Sequence, residues 1–317
     1  MTTTTEFRAI TLTDLPLLRR LSGRGTLLDT ELGLTQDTHG VPSSHLSSLL
    51  FNRGVYTFVA RDEFQQVLGQ FRYKPDDVNA HILYLAPALD EVSDDSVWLA
   101  ILDAMTREAG KMGAHTLIAE VDTQSRLFET LRQARFACYV RQTIWHHAPS
   151  HAHQRVELSE ESSNDQIGIM SLICHTIPTL QQGVATPNND CNGLVYRHNG
   201  QVEAYIAYSE GKNGVYLIPY IHPDIARFAS DILESAVAHI GSSLPIYVCV
   251  RSYQAWLNDA VCNMNFQLVT EQAIMVRQIA AGVRHVAFTR SKINGKLEPA
   301  HRVTPPYWSS ARPPDEE

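Results

Sequence analysis

The sequence is short of the features that mark several common protein classes. No apolar run approaches the roughly 18 residues that a membrane-spanning helix needs, so no membrane partner is expected. The five cysteines, Cys138, Cys174, Cys191, Cys249 and Cys262, are odd in number and scattered. Without a CxxC pair they give neither a disulfide framework nor a thiolate zinc site, and they read as reduced packing residues. P-loop, dinucleotide-binding and serine-hydrolase motifs are missing. Basic residues are the minority, with Lys+Arg 26, Asp+Glu 34 and a formal net charge of −8. That balance speaks against a sequence-independent grip on nucleic acid. The first residues, Met1 to Glu6, have neither the basic start nor the apolar stretch of a signal peptide, so a cytoplasmic setting is expected. No metal site is expected either. His146, His147, His151 and His153 have no interleaved carboxylate or cysteine, and they read as solvated linker histidines.

What the chain does have is apolar material for two cores: 317 residues with 44% hydrophobic content. It also carries an internal repeat. Phe136 and Ile144 recur as Phe266 and Ile274, 130 positions on, and Leu127 and Leu131 recur as Leu257 and Val261. Alternating runs at 56–60, 66–71, 81–85, 116–121 and 139–145 predict strands. Trp98, Ile101, Leu102, Met105 and Ala109 predict a helix over 94–112, and a second helix follows at 125–134. The second half repeats the series, with strands at 193–196, 202–207, 214–218, 245–250 and 272–278. Its first hairpin turns at Asn199-Gly200. Helices are predicted over 225–240, stopped by Gly241, and over 254–263. The stretch 146–153 reads as a linker and the segment beyond Gly282 as a partly disordered extension, with 283–288 as one extra strand. The boundaries are therefore 1–149, 150–282 and 283–317.

A β-meander followed by helix, strand, helix and strand resembles the GNAT N-acetyltransferase family. The match is carried by Leu127 to Phe136 and Trp256 to Phe266, which resemble the family's helix ending in Gly-Phe. Ile221-His222-Pro223-Asp224 resembles the end of the family's fourth strand. The resemblance implies an α/β (α+β) chain of two tandem GNAT-like domains, each a mixed, mostly antiparallel sheet flanked by helices. Pairing of the late strands 139–145 and 272–278, which would otherwise show apolar edges to water, makes the monomer a pseudo-dimer, with a homodimer as the alternative. In the family the fourth and fifth strands splay, and the pantetheine arm of acetyl-CoA enters the wedge as though it were a strand. Its pyrophosphate rests on glycine-rich backbone at the next helix N-terminus.

Neither half carries that glycine-rich loop. In the first, Leu89 to Ser96 has no glycine and four acidic residues, with Ser93 or Asp94 as an ordinary N-cap. In the second, the resemblance places Ile221, Arg227, Phe228 and Ala229 toward acetyl-CoA. Tyr253 is the candidate acid for the leaving thiolate, and Glu203 and His222 are candidate bases for the amine. Each has a plainer reading: Tyr253 as an amphipathic cap on the sheet, Glu203 as the solvent side of a strand, His222 as a turn residue. Glu120, a carboxylate inside an apolar strand, must be paired, at an edge or functional. The implied function is acyl transfer from acyl-CoA to an amine of a small molecule or peptide. The alternative is a catalytically inactive GNAT-like module that binds a small metabolite or a protein partner.

Overall fold

The computed structural model describes residues 6–21, 23–36, 54–75, 77–89, 94–147, 153–187, 192–241 and 243–279. The first half runs β1 (Glu6–Ala9), α1 (Leu15–Leu21), β2 (Thr26–Leu27), α2 (Thr30–Thr35), β3 (Val55–Arg61), β4 (Gln66–Tyr73), β5 (Asn79–Ala86), α3 (Ser96–Met112), β6 (Thr116–Asp122), α4 (Arg126–Gln133) and β7 (Ala137–His147). The second runs β8 (Ser159–Glu160), α5 (Gln166–Thr176), α6 (Thr179–Ala185), β9 (Asn192–His198), β10 (Gln201–Glu210), β11 (Val215–Ile221), α7 (Ala229–Ile240), β12 (Ile246–Arg251), α8 (Leu257–Asn263) and β13 (Gln267–Gln278). The expected α/β architecture is present, a mostly antiparallel sheet flanked by helices. Among the described residues no helix is long and apolar enough to cross a membrane. The expected extra strand at 283–288 and the extension lie outside the described residues, as does Ser93.

Among the described residues all strands join in one sheet of order β1-β3-β4-β5-β6-β13-β7-β12-β11-β10-β9-β8, with β2 on β5. The order shows an exchange. The last strand of the second half, β13, lies against β6 of the first half, and β7 of the first half lies against β12 of the second. The two exchanged strands pair antiparallel with each other, with Gln142 opposite Gln272 at the centre of a pseudo-two-fold axis. Each half therefore puts a strand into the other's core. Ala273 and Met275 pack with Trp98, Phe71 and Leu117, while Trp145 packs with Val248 and Leu257. Full burial of one such large side chain stabilises by about 1.5–3 kcal/mol. The exchange also leaves neither late strand with an open edge.

It corrects the linker as well. His146 and His147 are strand residues, paired with Tyr247 and Ile246, and His146 also pairs with Gln267. Backbone partners on both sides extend β7, and the rings rest on Tyr247 and Phe266. The predicted helix at 225–240 begins later, at Ala229, because Ile225 has non-helical backbone angles inside a 3-10 turn at Pro223–Phe228. The anchors of the repeat occupy matching places. Phe136 and Phe266 are both buried. Each follows a residue in the left-handed region, Arg135 at φ 66° and Asn265 at φ 61°.

Candidate functional site

Each half has a wedge where two parallel strands part. β5 and β6 pair only from Asn79–Thr116 to His81–Ile118. β11 and β12 pair only from Val215–Ile246 to Leu217–Val248. Beyond these three pairs the strands diverge, and polar backbone on the inner edges needs partners.

In the second half the partner is one side chain. Gln254, 2% exposed, accepts the Ile221 N–H through Oε1 at 2.9 Å and donates from Nε2 to the Pro219 carbonyl at 3.0 Å. Proline removes the remaining donor on that edge. At the end of β12, Arg251 Nη1 donates to the Ala185 carbonyl, to Tyr220 Oη at 3.1 Å and to Tyr253 Oη at 3.4 Å. Tyr220 donates to the same Ala185 carbonyl at 2.9 Å. Burial pushes the Tyr253 phenol up, so it stays protonated at neutral pH, and Arg251 opposes that shift.

The residues flanking this wedge form a second group. His222 follows the strand and caps the 3-10 turn, its Nδ1 accepting the Asp224 N–H at 3.3 Å. Glu203 Oε2 stands 3.7 Å from that nitrogen, beyond hydrogen-bond reach, while the His222 N–H donates to the Glu203 carbonyl at 2.9 Å. Glu203 sits at the irregularity between Val202 and Ala204 in β10. The Arg227 guanidinium lies 4.7 Å from the Phe228 ring centre, and Ala229, buried, starts α7. The structure thus brings His222 and Glu203 together. Among the described residues no hydrogen bond or ion pair joins them to Tyr253.

In the first half the chain fills its own wedge. β2 pairs antiparallel with β5, Thr26 opposite Leu85 and Leu27 opposite Tyr84. Leu28 then bridges the gap: its N–H donates to Leu83 and its carbonyl accepts from the Glu120 N–H, both at 2.9 Å. Gly25 makes this close approach possible, since a Cβ there would overlap the Tyr84 ring and the Leu85 carbonyl. The N-cap of α3 is Asp95 rather than Asp94, which stands one residue earlier and accepts from Ser96 N at 3.0 Å and Ser96 Oγ at 2.8 Å.

Glu120 belongs to a polar chain running across the pseudo-axis. Its Oε2 accepts the Thr30 N–H at 2.9 Å, and Thr30 Oγ1 donates to Gln272 Oε1 at 2.7 Å. Gln142 Nε2 donates to the same oxygen at 3.1 Å, and Gln142 Oε1 lies 3.4 Å from Cys249 Sγ. Burial, with Asp29 nearby, holds the Glu120 carboxyl above its ordinary range, and the Thr30 bond opposes this.

Sequence reasoning missed Gln254, Arg251, Tyr220 and the segment 26–30. A signal existed for some of them. Tyr84-Leu85-Ala86-Pro87 and Tyr220-Ile221-His222-Pro223 stand 136 apart. Both tyrosine hydroxyls donate to a carbonyl, Tyr84 to Leu21 and Tyr220 to Ala185. Gln142 and Gln272 likewise keep the offset of 130.

No protein-family model and no curated protein matches this sequence. Solved structures do. A GCN5-related N-acetyltransferase from Sphaerobacter thermophilus aligns with TM-score 0.51 at 10% identity, over 87% of this chain and 96% of that one. A tandem GNAT protein from the clavulanic acid biosynthesis pathway aligns with TM-score 0.50 at 10% identity, over 87% and 99%. At such identity the likeness is one of fold. Two wedged units in one chain, joined through their last strands, give this protein the fold of the GNAT N-acetyltransferases.

Proposed function

We propose that this chain uses the GNAT fold as a recognition module for a small metabolite or protein partner, without acyl transfer. The observation that carries the reading is that both wedges are taken by the chain's own hydrogen-bonding groups. Thr26 to Leu28 lies as a strand in the first. Gln254 holds the Ile221 N–H and the Pro219 carbonyl in the second. These residues do not fit a pantetheine arm, which would need the same backbone groups. At neither helix start is there the glycine-rich backbone on which a pyrophosphate could lie.

The second reading is acyl transfer from acetyl-CoA to an amine of a small molecule or peptide. It is favoured by one contrast: the second wedge is closed by a single side chain rather than by a strand. In that reading Ile221, Arg227, Phe228 and Ala229 face the donor, and Tyr253, Glu203 and His222 serve the transfer.

Thermal melting with and without millimolar acetyl-CoA separates the two, because a ligand specific to the folded state raises Tm. The recognition reading expects no shift and no thiol release with amine acceptors. A rise in Tm that Arg227→Ala abolishes would overturn it in favour of transfer.

A further inference from the structure

Strand pairing at the outer edge of the first half gathers charge on one face. Glu6 stands opposite Arg61, Arg8 opposite Val59, and Arg61 in turn opposite Gln66. Side chains alternate along a strand, so these five residues share a face, while Phe7, Phe58 and Ala60 serve the core on the other. The chain then returns over the charged face through a 3-10 turn at Leu12–Asp14 and helix α1. Arg8 ties that return down, its Nη1 and Nη2 donating to the two Asp14 carboxylate oxygens at 2.6 and 2.7 Å. The second half has a like clamp, with Arg197 Nη2 donating to Asp165 just ahead of α5. The recurrence marks Arg8 and Asp14 as structural, and as a bidentate pair both are spent on each other.

Between the return and the sheet lies a cleft of about 350 Å³, within the roughly 300–1,000 Å³ of small-molecule sites. Val59, buried, and Leu17, half-buried, give it an apolar patch. Three charged groups in its lining are not spent. Among the described residues the side chains of Glu6 and Arg61 make no hydrogen bond or ion pair, although they stand opposite each other in the sheet. Arg20 uses only Nη2, on Gln66 Oε1 at 3.1 Å. A simple anion in this cleft would meet the Glu6 carboxylate, and a simple cation would meet two open guanidinium groups. A ligand that carries both charges satisfies all three.

We propose that this cleft binds a free α-amino acid, its carboxylate on Arg61 and Arg20, its ammonium on Glu6 and its side chain against Leu17 and Val59. The proposal deepens the recognition reading by naming the class of metabolite. It rests on that reading for its biological role, though not for the binding itself. Because Glu6 and Arg61 are exposed, the binding is screened by salt and weakens as ionic strength rises.

The test is calorimetric titration of the full chain with glycine and L-valine. N-acetyl-L-valine is the analogue without an ammonium, and L-valinamide the one without a carboxylate. The amino acids are expected to bind, and each blocked analogue to bind roughly tenfold more weakly or worse, as loss of a hydrogen bond to a charged group requires. Arg61→Gln and Glu6→Gln, made at exposed positions that the fold does not use, should each weaken valine to the same degree. In the ¹H–¹⁵N spectrum of the native chain, valine should move the backbone amides of residues 6–8 and 59–61. No heat and no shift with either amino acid overturns the proposal. Equal binding of the blocked analogues, or binding that survives both substitutions, overturns it as well. Acetylation of valine in the presence of acetyl-CoA would instead refute the recognition reading, while titration without the coenzyme would still decide the site.

Discussion

Removing the side chain that closes the second wedge gives a loss whose size follows from two hydrogen bonds. Gln254→Ala leaves the Ile221 N–H and the Pro219 carbonyl without their partners at 2.9 and 3.0 Å, in a site where the glutamine is 2% exposed. An unsatisfied buried polar group costs about 1–3 kcal/mol. With water entering to return part of that, the expected loss is about 2–4 kcal/mol. In a chain of this size it lowers Tm by roughly 5–12 °C. Urea unfolding is the assay, with an unchanged m-value showing that stability rather than compactness moved. Two companion variants assign the cause. Gln254→Met restores volume without hydrogen bonds and should lose nearly as much as alanine. Gln254→Glu keeps the acceptor for Ile221 but at neutral pH turns a carboxylate toward the Pro219 carbonyl. Its deficit should shrink on acidification, as a protonated carboxyl becomes a donor again. A loss below about 0.5 kcal/mol for Gln254→Ala, small even beside one net hydrogen bond, would refute the reasoning. So would a Gln254→Met variant as stable as the native chain, for then packing and not polar satisfaction would hold the wedge shut.

The matching left-handed positions should respond unequally to glycine. Arg135→Gly is expected to stabilise by up to about 1 kcal/mol, because φ 66° strains a long side chain, whereas Asn265→Gly at φ 61° should be near neutral, since asparagine tolerates that region; equal effects in chemical denaturation would contradict this. The acid limb should depend on Asp14 and Asp165. Arg8 and Thr11 hold the Asp14 carboxyl well below the usual carboxylate range, and Ser162 and Arg197 lower that of Asp165. A depressed carboxyl contributes stability that is present above its unfolded pKa of about 4 and is lost as pH falls through the folded value. Asp14→Asn and Asp165→Asn should therefore destabilise at pH 7 and flatten the fall in Tm below about pH 4. An acid limb identical to that of the native chain would sink the assignment.

The candidate site was legible in part. Ile221, Arg227, Phe228 and Ala229 are reached through the family resemblance of the stretch Ile221 to Asp224, and the structure puts Ile221 at the end of β11, Arg227 and Phe228 in the 3-10 turn and Ala229 at the start of α7. Gln254 could not be identified in that way. It stands in a short 3-10 turn after β12, and a glutamine in a turn looks the same whether its amide meets water or two backbone groups of another strand. The histidines at 146 and 147 read as linker because their polarity resembles that of the residues after them, while their strand state comes from β12 and β13 on either side.

Periodicity marked the order of strands and helices over 56–145 and 193–278 and the repeat that relates Phe136 to Phe266. These depend on the alternation of apolar residues along a short stretch, which each segment carries within itself. Which strand lies beside which is a different matter. β7 and β13 have the same alternation whether each completes its own sheet or the other's, so only the packed chain decides the exchange. The same holds for the wedges. Their closure by Gln254 and by residues 26–28 depends on backbone groups far away in sequence meeting a partner in three dimensions, and no local pattern encodes that meeting.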